Sequence, residues 1–132
     1  MNARVRAAAV SVLAVAALVA APVNPAVAAS CVKATTTGAS TCFYPTGEKV
    51  TVTDTKSDGR RAGARLWFRD DEGYDYTRLC QNTKGYNTTV TCDYDFPEDW
   101  YVRMYPGTCD GSTVDCNVAS NWKWGSYEVA YT

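Results

Sequence analysis

Apolar and polar residues alternate in short runs along most of the chain. Val50 and Val52 oppose Thr51 and Thr53, and Ala64, Leu66 and Phe68 oppose Arg65, Trp67 and Arg69. Val90, Cys92 and Tyr94 alternate with Thr89, Thr91 and Asp93, and Trp100, Val102 and Met104 with Tyr101, Arg103 and Tyr105. Tyr127, Val129 and Tyr131 share one side of the last run. A period of two in β-branched and aromatic residues marks half-buried strands. Strands are therefore predicted over 48–54, 62–69, 87–94, 100–105 and 126–131, with weaker candidates at 42–44, 76–80 and 114–118.

Ser57-Asp58-Gly59, Glu72-Gly73, Lys84-Gly85, Phe96-Pro97 and Pro106-Gly107 supply turn chemistry between the runs. No window carries a helical repeat. The expected fold is all-β: a small antiparallel β-sandwich of immunoglobulin-like architecture with about seven or eight short strands. One face of each strand packs inward and the other meets water. The Cys-Trp-Cys arrangement of true immunoglobulin domains is missing, so the expectation covers architecture only.

The N-terminus follows a different pattern. Arg4 and Arg6 precede an apolar run from Ala7 to Ala21, broken only by Ser11. Pro22 and Pro25 follow, and Ala26-Val27-Ala28 offers small residues at a cleavage site. This is the pattern of a secretory signal peptide over 1–28, leaving 29–132 as one domain. The apolar run falls short of the roughly 20 residues that span a bilayer, and no later segment is apolar enough, so no membrane span is expected.

Export explains the six cysteines. They fall into three sequence-local pairs, Cys31 with Cys42, Cys80 with Cys92 and Cys109 with Cys116, each with turn residues between its members. Closure of each pair as the disulfide of a hairpin is expected, leaving no thiol nucleophile. Absence of any C-x-x-C pair and of histidine argues against zinc. The missing histidine also removes Ser/His/Asp and Cys/His catalysis. Without the leader the chain carries eleven basic and fourteen acidic residues, a formal charge of −3. That balance argues against a nucleic-acid partner, and no cofactor is expected.

Three groups of residues carry candidate chemistry. Arg65, Trp67 and Arg69 point away from the apolar side of their strand, as do Tyr101, Arg103 and Tyr105 on theirs. If the two strands are neighbours, six residues of types favoured at interface hot spots meet. The alternative is a set of cation–π pairs that merely tile a solvated sheet. Trp122 and Trp124, with Tyr127 and Tyr131, could stack on a sugar or anchor a protein, or else cap a small core. Asp70, Asp71, Glu72 and Asp75 form one acidic cluster, and Asp93, Asp95, Glu98 and Asp99 another. Neither matches an EF-hand loop, and a solvated surface is the expectation for both.

The segment Gly47-Glu48-Lys49-Val50-Thr51-Val52-Thr53-Asp54-Thr55-Lys56-Ser57-Asp58-Gly59 and the Ala/Val-rich leader resemble small secreted disulfide-bonded β-sandwich proteins of high-GC Gram-positive bacteria. That resemblance implies an exported sandwich and names no activity. The proteinaceous α-amylase inhibitors share size, export and disulfides, but their Trp-Arg-Tyr triplet is absent. Trp100-Tyr101-Val102-Arg103 departs from it, so their activity is not carried over. Small adaptor subunits of secreted bacterial toxin particles are similar in size and compartment.

These readings converge on a secreted, extracellular, non-catalytic binding module, with a protein partner preferred over carbohydrate. Arg65, Trp67, Arg69, Tyr101, Arg103, Tyr105, Trp122 and Trp124 are the candidate binding residues. The alternatives are an inhibitor that plugs a hydrolase cleft with the rigid Thr108 to Val114 loop, and a small secreted hydrolase or toxin.

Overall fold

Val50, Val52, Leu66, Phe68, Val102 and Met104 are all buried, so the alternation read from the sequence is the alternation of a sandwich. The computed structural model describes residues 30–132. The leader assigned to 1–28 lies outside them. Among the described residues are β1 (Val32–Thr36), β2 (Ala39–Tyr44), β3 (Lys49–Asp54), β4 (Arg61–Arg69), β5 (Asp75–Asn82), β6 (Thr89–Asp93), β7 (Tyr101–Cys109), β8 (Lys123–Trp124) and β9 (Glu128–Tyr131). A single 3-10 turn covers Ala119–Asn121. No helix among these residues is long and apolar enough to cross a membrane.

One sheet runs β1-β2-β3-β6; the other runs β5-β4-β7, with β8 and β9 both on the far edge of β7. Every pairing is antiparallel. The crossovers that pair β3 with β6 and β4 with β7 give the Greek-key order of an immunoglobulin-like sandwich. Phe43, Val50 and Val52 from the first sheet meet Leu66, Phe68, Val102 and Met104 from the second, with Ala34, Ala39, Ala62, Ala64 and Ala130 filling the closest approaches. Buried Asn82 ties the sheets together, its amide donating to Val52 O and Thr88 O.

The three disulfides pair as expected. Such bridges belong to an oxidising compartment. On a chain-entropy view each contributes about 2.5–3 kcal/mol by restricting the unfolded chain. Two depart from the expected hairpin geometry. Cys109 ends β7 while Cys116 lies in the turns that follow it, so that bridge closes a loop. Cys80 lies on β5 and Cys92 on β6, so this bridge staples the two sheets rather than a hairpin.

The strand boundaries need three corrections. Val32–Thr36 forms β1, which the alternation did not predict. Residues 114–118 form turns rather than a strand. Pro106-Gly107 is not a turn, because β7 continues through it to Cys109. The proline is tolerated for a local reason. Its carbonyl accepts Gly125 N at 2.7 Å, and its nitrogen faces the same edge, in the gap where β8 has ended and β9 has not begun. No ladder bond is lost there.

Candidate functional site

Cross-strand register brings the six arginine and aromatic candidates together. Arg65 pairs with Tyr105 and Trp67 with Arg103 across β4 and β7, and Arg69 pairs with Asp75 across β4 and β5. Paired residues of antiparallel strands point to the same side, and the neighbours Leu66, Phe68, Val102 and Met104 occupy the core. The six therefore lie on the outer face of the second sheet. Tyr101 faces Tyr131 across β7 and β9, so Tyr127 and Tyr131 join them.

Arg103 sits at the centre. Its guanidinium carbon lies 4.7 Å from the Trp67 ring centroid, 5.0 Å from that of Tyr127 and 5.4 Å from that of Tyr101. Its Nε also donates to the Tyr101 hydroxyl at 3.1 Å, which raises the guanidinium above its ordinary value. Arg69 lies 5.3 Å from Trp67 and Arg65 5.7 Å from Tyr105. The rings contact one another as well: Trp67 with Tyr101 at 6.4 Å, Tyr101 with Tyr131 at 5.7 Å and Tyr105 with Tyr127 at 5.1 Å. Tyr127 and Tyr131 are 41% and 60% exposed, so the cluster opens to solvent.

Charge on this face is unbalanced. Asp75 accepts from Arg69 Nε at 2.6 Å and from Nη2 at 3.2 Å, and these bonds hold its carboxyl below the usual aspartate range. Among the described residues, Arg65 and Arg103 have no carboxylate within ion-pair distance. Arg65 Nε is buried and finds no acceptor.

Trp122 and Trp124 stand apart from this cluster. They stack on each other with centroids 5.0 Å apart and cover the other half of the same outer face. Gly63 and Gly107 form the bed beneath them. A Cβ at Gly63 would fall 2.3 Å from the Trp122 ring, and one at Gly107 2.4 Å from Trp124. Trp122 is 5% exposed and forms a satellite core with Cys109 and Cys116, flanked by Leu79 and Trp124. Both indoles are satisfied, Trp122 by Cys116 O at 2.7 Å and Trp124 by Ala119 O at 2.9 Å. The second sheet thus has a closed half and an open half.

The outer face of the first sheet provides a control within the same chain. Thr51 pairs with Thr91 and Thr53 with Thr89, flanked by Ser40, Thr35 and Lys49. Thr53 and Thr89 share a 2.7 Å hydroxyl–hydroxyl bond. No ring–ring or cation–π contact lies on this face among the described residues.

The acidic clusters are dispersed into separate roles. Asp70 accepts from Tyr74 N and from the Tyr76 hydroxyl, raising the latter's pKa, while Asp75 serves Arg69. Asp93 and Asp95 line a concavity of about 460 Å³ at the end where β4 finishes and β7 begins, together with Phe68, Tyr76, Arg78, Tyr94, Phe96, Pro97 and Trp100. The opposite end holds a polar concavity of about 550 Å³, where Lys56, Arg60, Arg61, Asn82, Tyr86 and Gly111 come from three loops and the strand ends beside them.

Sequence reasoning kept Tyr127, Tyr131 and Asp75 outside the arginine–aromatic group, although the alternation over 126–131 already placed Tyr127 and Tyr131 on one side. No family model, curated protein or solved structure matches the chain.

Proposed function

We propose that the protein is an exported, non-catalytic module that docks an acidic segment of a protein partner on the open half of its second sheet. One observation carries this reading: a single chain clothes two equivalent outer sheet faces differently. The first face is mostly threonine and serine, and the strand itself favours β-branched residues there. It also carries Lys33, Lys49, the Cys42 bridge and one ring, Tyr44, at its end, and that ring makes no aromatic or cation–π contact among the described residues. The second exposes large rings around two arginines that lack carboxylate partners. Rigid aromatic area and guanidinium groups are the chemistry of interface hot spots, and carboxylates are their natural counterpart. An adaptor role in a larger secreted assembly fits this surface.

The test uses three immobilised proteins: the wild type, Trp67→Ala/Arg103→Ala, and Thr51→Ala/Thr53→Ala on the opposite face. Proteins retained from culture supernatant are identified, purified and titrated back by calorimetry. Support requires a partner whose affinity falls at least about tenfold with the first variant, holds with the second and weakens with salt. Equal retention by all three would reject the face.

A second reading has its own observation. Asp110 accepts from the backbone and hydroxyl of Ser112, at 3.2 and 2.6 Å, and Cys109–Cys116 closes the same loop. Such a preordered loop suits an inhibitor that enters a cleft without ordering cost. Inhibition of a secreted hydrolase, lost on Val114→Asp, would favour it.

A further inference from the structure

We propose that the aromatic concavity at the end of the sandwich remote from the Cys109–Cys116 loop is a saccharide subsite, taking one or two units of a neutral glycan. This site is separate from the outer face and does not rest on the function proposed for it. Tyr76 stacks on Phe68 at 5.5 Å and 13° and on Trp100 at 6.1 Å and 22°, while Phe68 and Trp100 are 5.5 Å apart and tilted by 35°. Phe96 and Tyr94 extend the apolar wall, stacked at 5.2 Å. Phe68 and Phe96 are buried and form the floor, whereas Tyr76 is exposed and Tyr94 and Trp100 are half-buried. Ring faces of this kind pack against the C–H faces of a pyranose.

The polar groups at the rim select among ligands. Asp93 and Asp95 offer acceptors, and Arg78, 5.8 Å from the Phe68 centroid, offers donors. Lys49 pairs with Asp93 at 3.8 Å. Of the carboxylates around the site, Asp93 is matched by Lys49, Glu48 by Phe96 N–H and Asp70 by the Tyr76 hydroxyl, which leaves Asp95 beside Arg78 in the lining. Among the described residues no cluster of unopposed carboxylates is present to favour a quaternary ammonium, which an aromatic cage would otherwise suit. A ligand with neutral hydroxyls, each both donor and acceptor, matches this mixed rim. Trp100 supplies a further donor. Unlike Trp122 and Trp124, its indole nitrogen has no acceptor among the described residues. Burial pushes the Tyr94 phenol up, so it remains a neutral hydroxyl at the wall.

The walls are fixed before any ligand arrives. Glu48 accepts Tyr94 N through its backbone carbonyl at 3.2 Å and Phe96 N through its carboxylate at 2.6 Å. Thr132 receives Trp100 N on its hydroxyl, donates that hydroxyl to Pro97 O, and its backbone carbonyl receives Asp99 N. The volume, about 460 Å³, lies within the range of small-molecule sites.

The probes are cellotetraose, xylotetraose, chitotetraose and galactotetraose, with tetramethylammonium as the cationic comparison. The disulfide-bonded protein is titrated while the four tryptophan indole signals are followed by NMR. The expected result is a saturable shift of the Trp100 indole with at least one oligosaccharide, and none at Trp67, Trp122 or Trp124. Tyr76→Ala and Asp95→Asn, both at exposed positions, should each weaken that binding about tenfold while the melting temperature holds. Arg103→Ala should leave it unchanged, even if partner docking on the outer face is lost. No Trp100 shift with any of the four sugars would overturn the proposal. So would a shift indifferent to Tyr76→Ala, or one caused by tetramethylammonium alone.

Discussion

The two halves of the second sheet's outer face use the same residue types to opposite ends. In one half, tryptophan rings lie flat on Gly63 and Gly107, their N–H groups satisfied by backbone, and Trp122 is removed from water. In the other, half-buried Trp67, Tyr101 and Tyr105 and exposed Tyr127 surround Arg103, and the face stays open at Tyr127 and Tyr131. The difference lies in what sits underneath. Glycines let rings descend onto the backbone and become core, while side chains at every alternate position hold the rings up as surface. Aromatic residues on a strand's outer side are therefore structural or recognitive according to their cross-strand partners.

The largest expected effect separates the halves by stability. Trp122→Ala removes a buried indole and should cost about 3–5 kcal/mol. Trp67→Ala, half-buried in the open half, should cost less, about 1–2 kcal/mol, from its two cation–π contacts and its edge contact with Tyr101. Urea denaturation of both variants checks this. Equal costs would mean that the open half is also core and would remove the contrast. Gly63→Ala tests the glycine bed directly. Its new Cβ would meet the Trp122 ring at 2.3 Å, so about 1–3 kcal/mol of overpacking strain and a shifted Trp122 indole signal are expected.

Next in size is the bridge that clamps the closed half. Replacing Cys109 and Cys116 together by serine should lower stability by about 2.5 kcal/mol, as expected for a short loop. It should also raise hydrogen exchange in residues 110–122 while β4 and β7 stay protected. Loss of protection in β7 would place that bridge in the main fold rather than in the satellite core.

Much of this organisation is visible in the sequence, and the gaps have physical causes. Arg65-Leu66-Trp67-Phe68-Arg69 and Tyr101-Val102-Arg103-Met104-Tyr105 announce both strands and the side on which each residue lies, because the period-two signal is local. The pairing of β4 with β7 is not local, and it alone converts two half-faces into one site. β1 carries Ala34 and threonines rather than large apolar residues, so its alternation is faint although Ala34 is buried. Pro106 and Gly107 resemble a turn by composition. Only the gap between β8 and β9 and the ring of Trp124 explain a strand there. The sequence allows Trp122 and Trp124 either recognition or packing, and the glycines beneath them decide for packing.

A smaller effect on stability, and a sharper test of purpose, comes from dressing the open half like the first sheet. Trp67→Thr with Tyr101→Thr replaces half-buried rings by strand-favouring residues and should lower stability by about 2 kcal/mol, less than the loss of buried Trp122. Partner capture should nonetheless disappear. A large loss of stability would instead make the rings structural and the threonine face a poor comparison.

The smallest expected effect concerns how much free charge the open half presents. The Arg69 hydrogen bonds hold the Asp75 carboxyl below its ordinary range, against a weaker opposing effect of burial. An unfolded aspartate titrates near 3.9, so the folded state's preference for the carboxylate is fully present above that value. It fades as the pH falls through the lower folded value and is absent once both states are protonated. Because the pair is exposed, solvent and salt screen it. Asp75→Asn should therefore destabilise slightly at pH 7, less so in high salt, and progressively less as the pH falls through the lowered folded value. The side-chain carboxyl carbon of Asp75 should titrate below a model-peptide aspartate. An ordinary titration would mean that Arg69 is unpaired, giving the face three free guanidinium groups instead of two and a stronger salt dependence of docking.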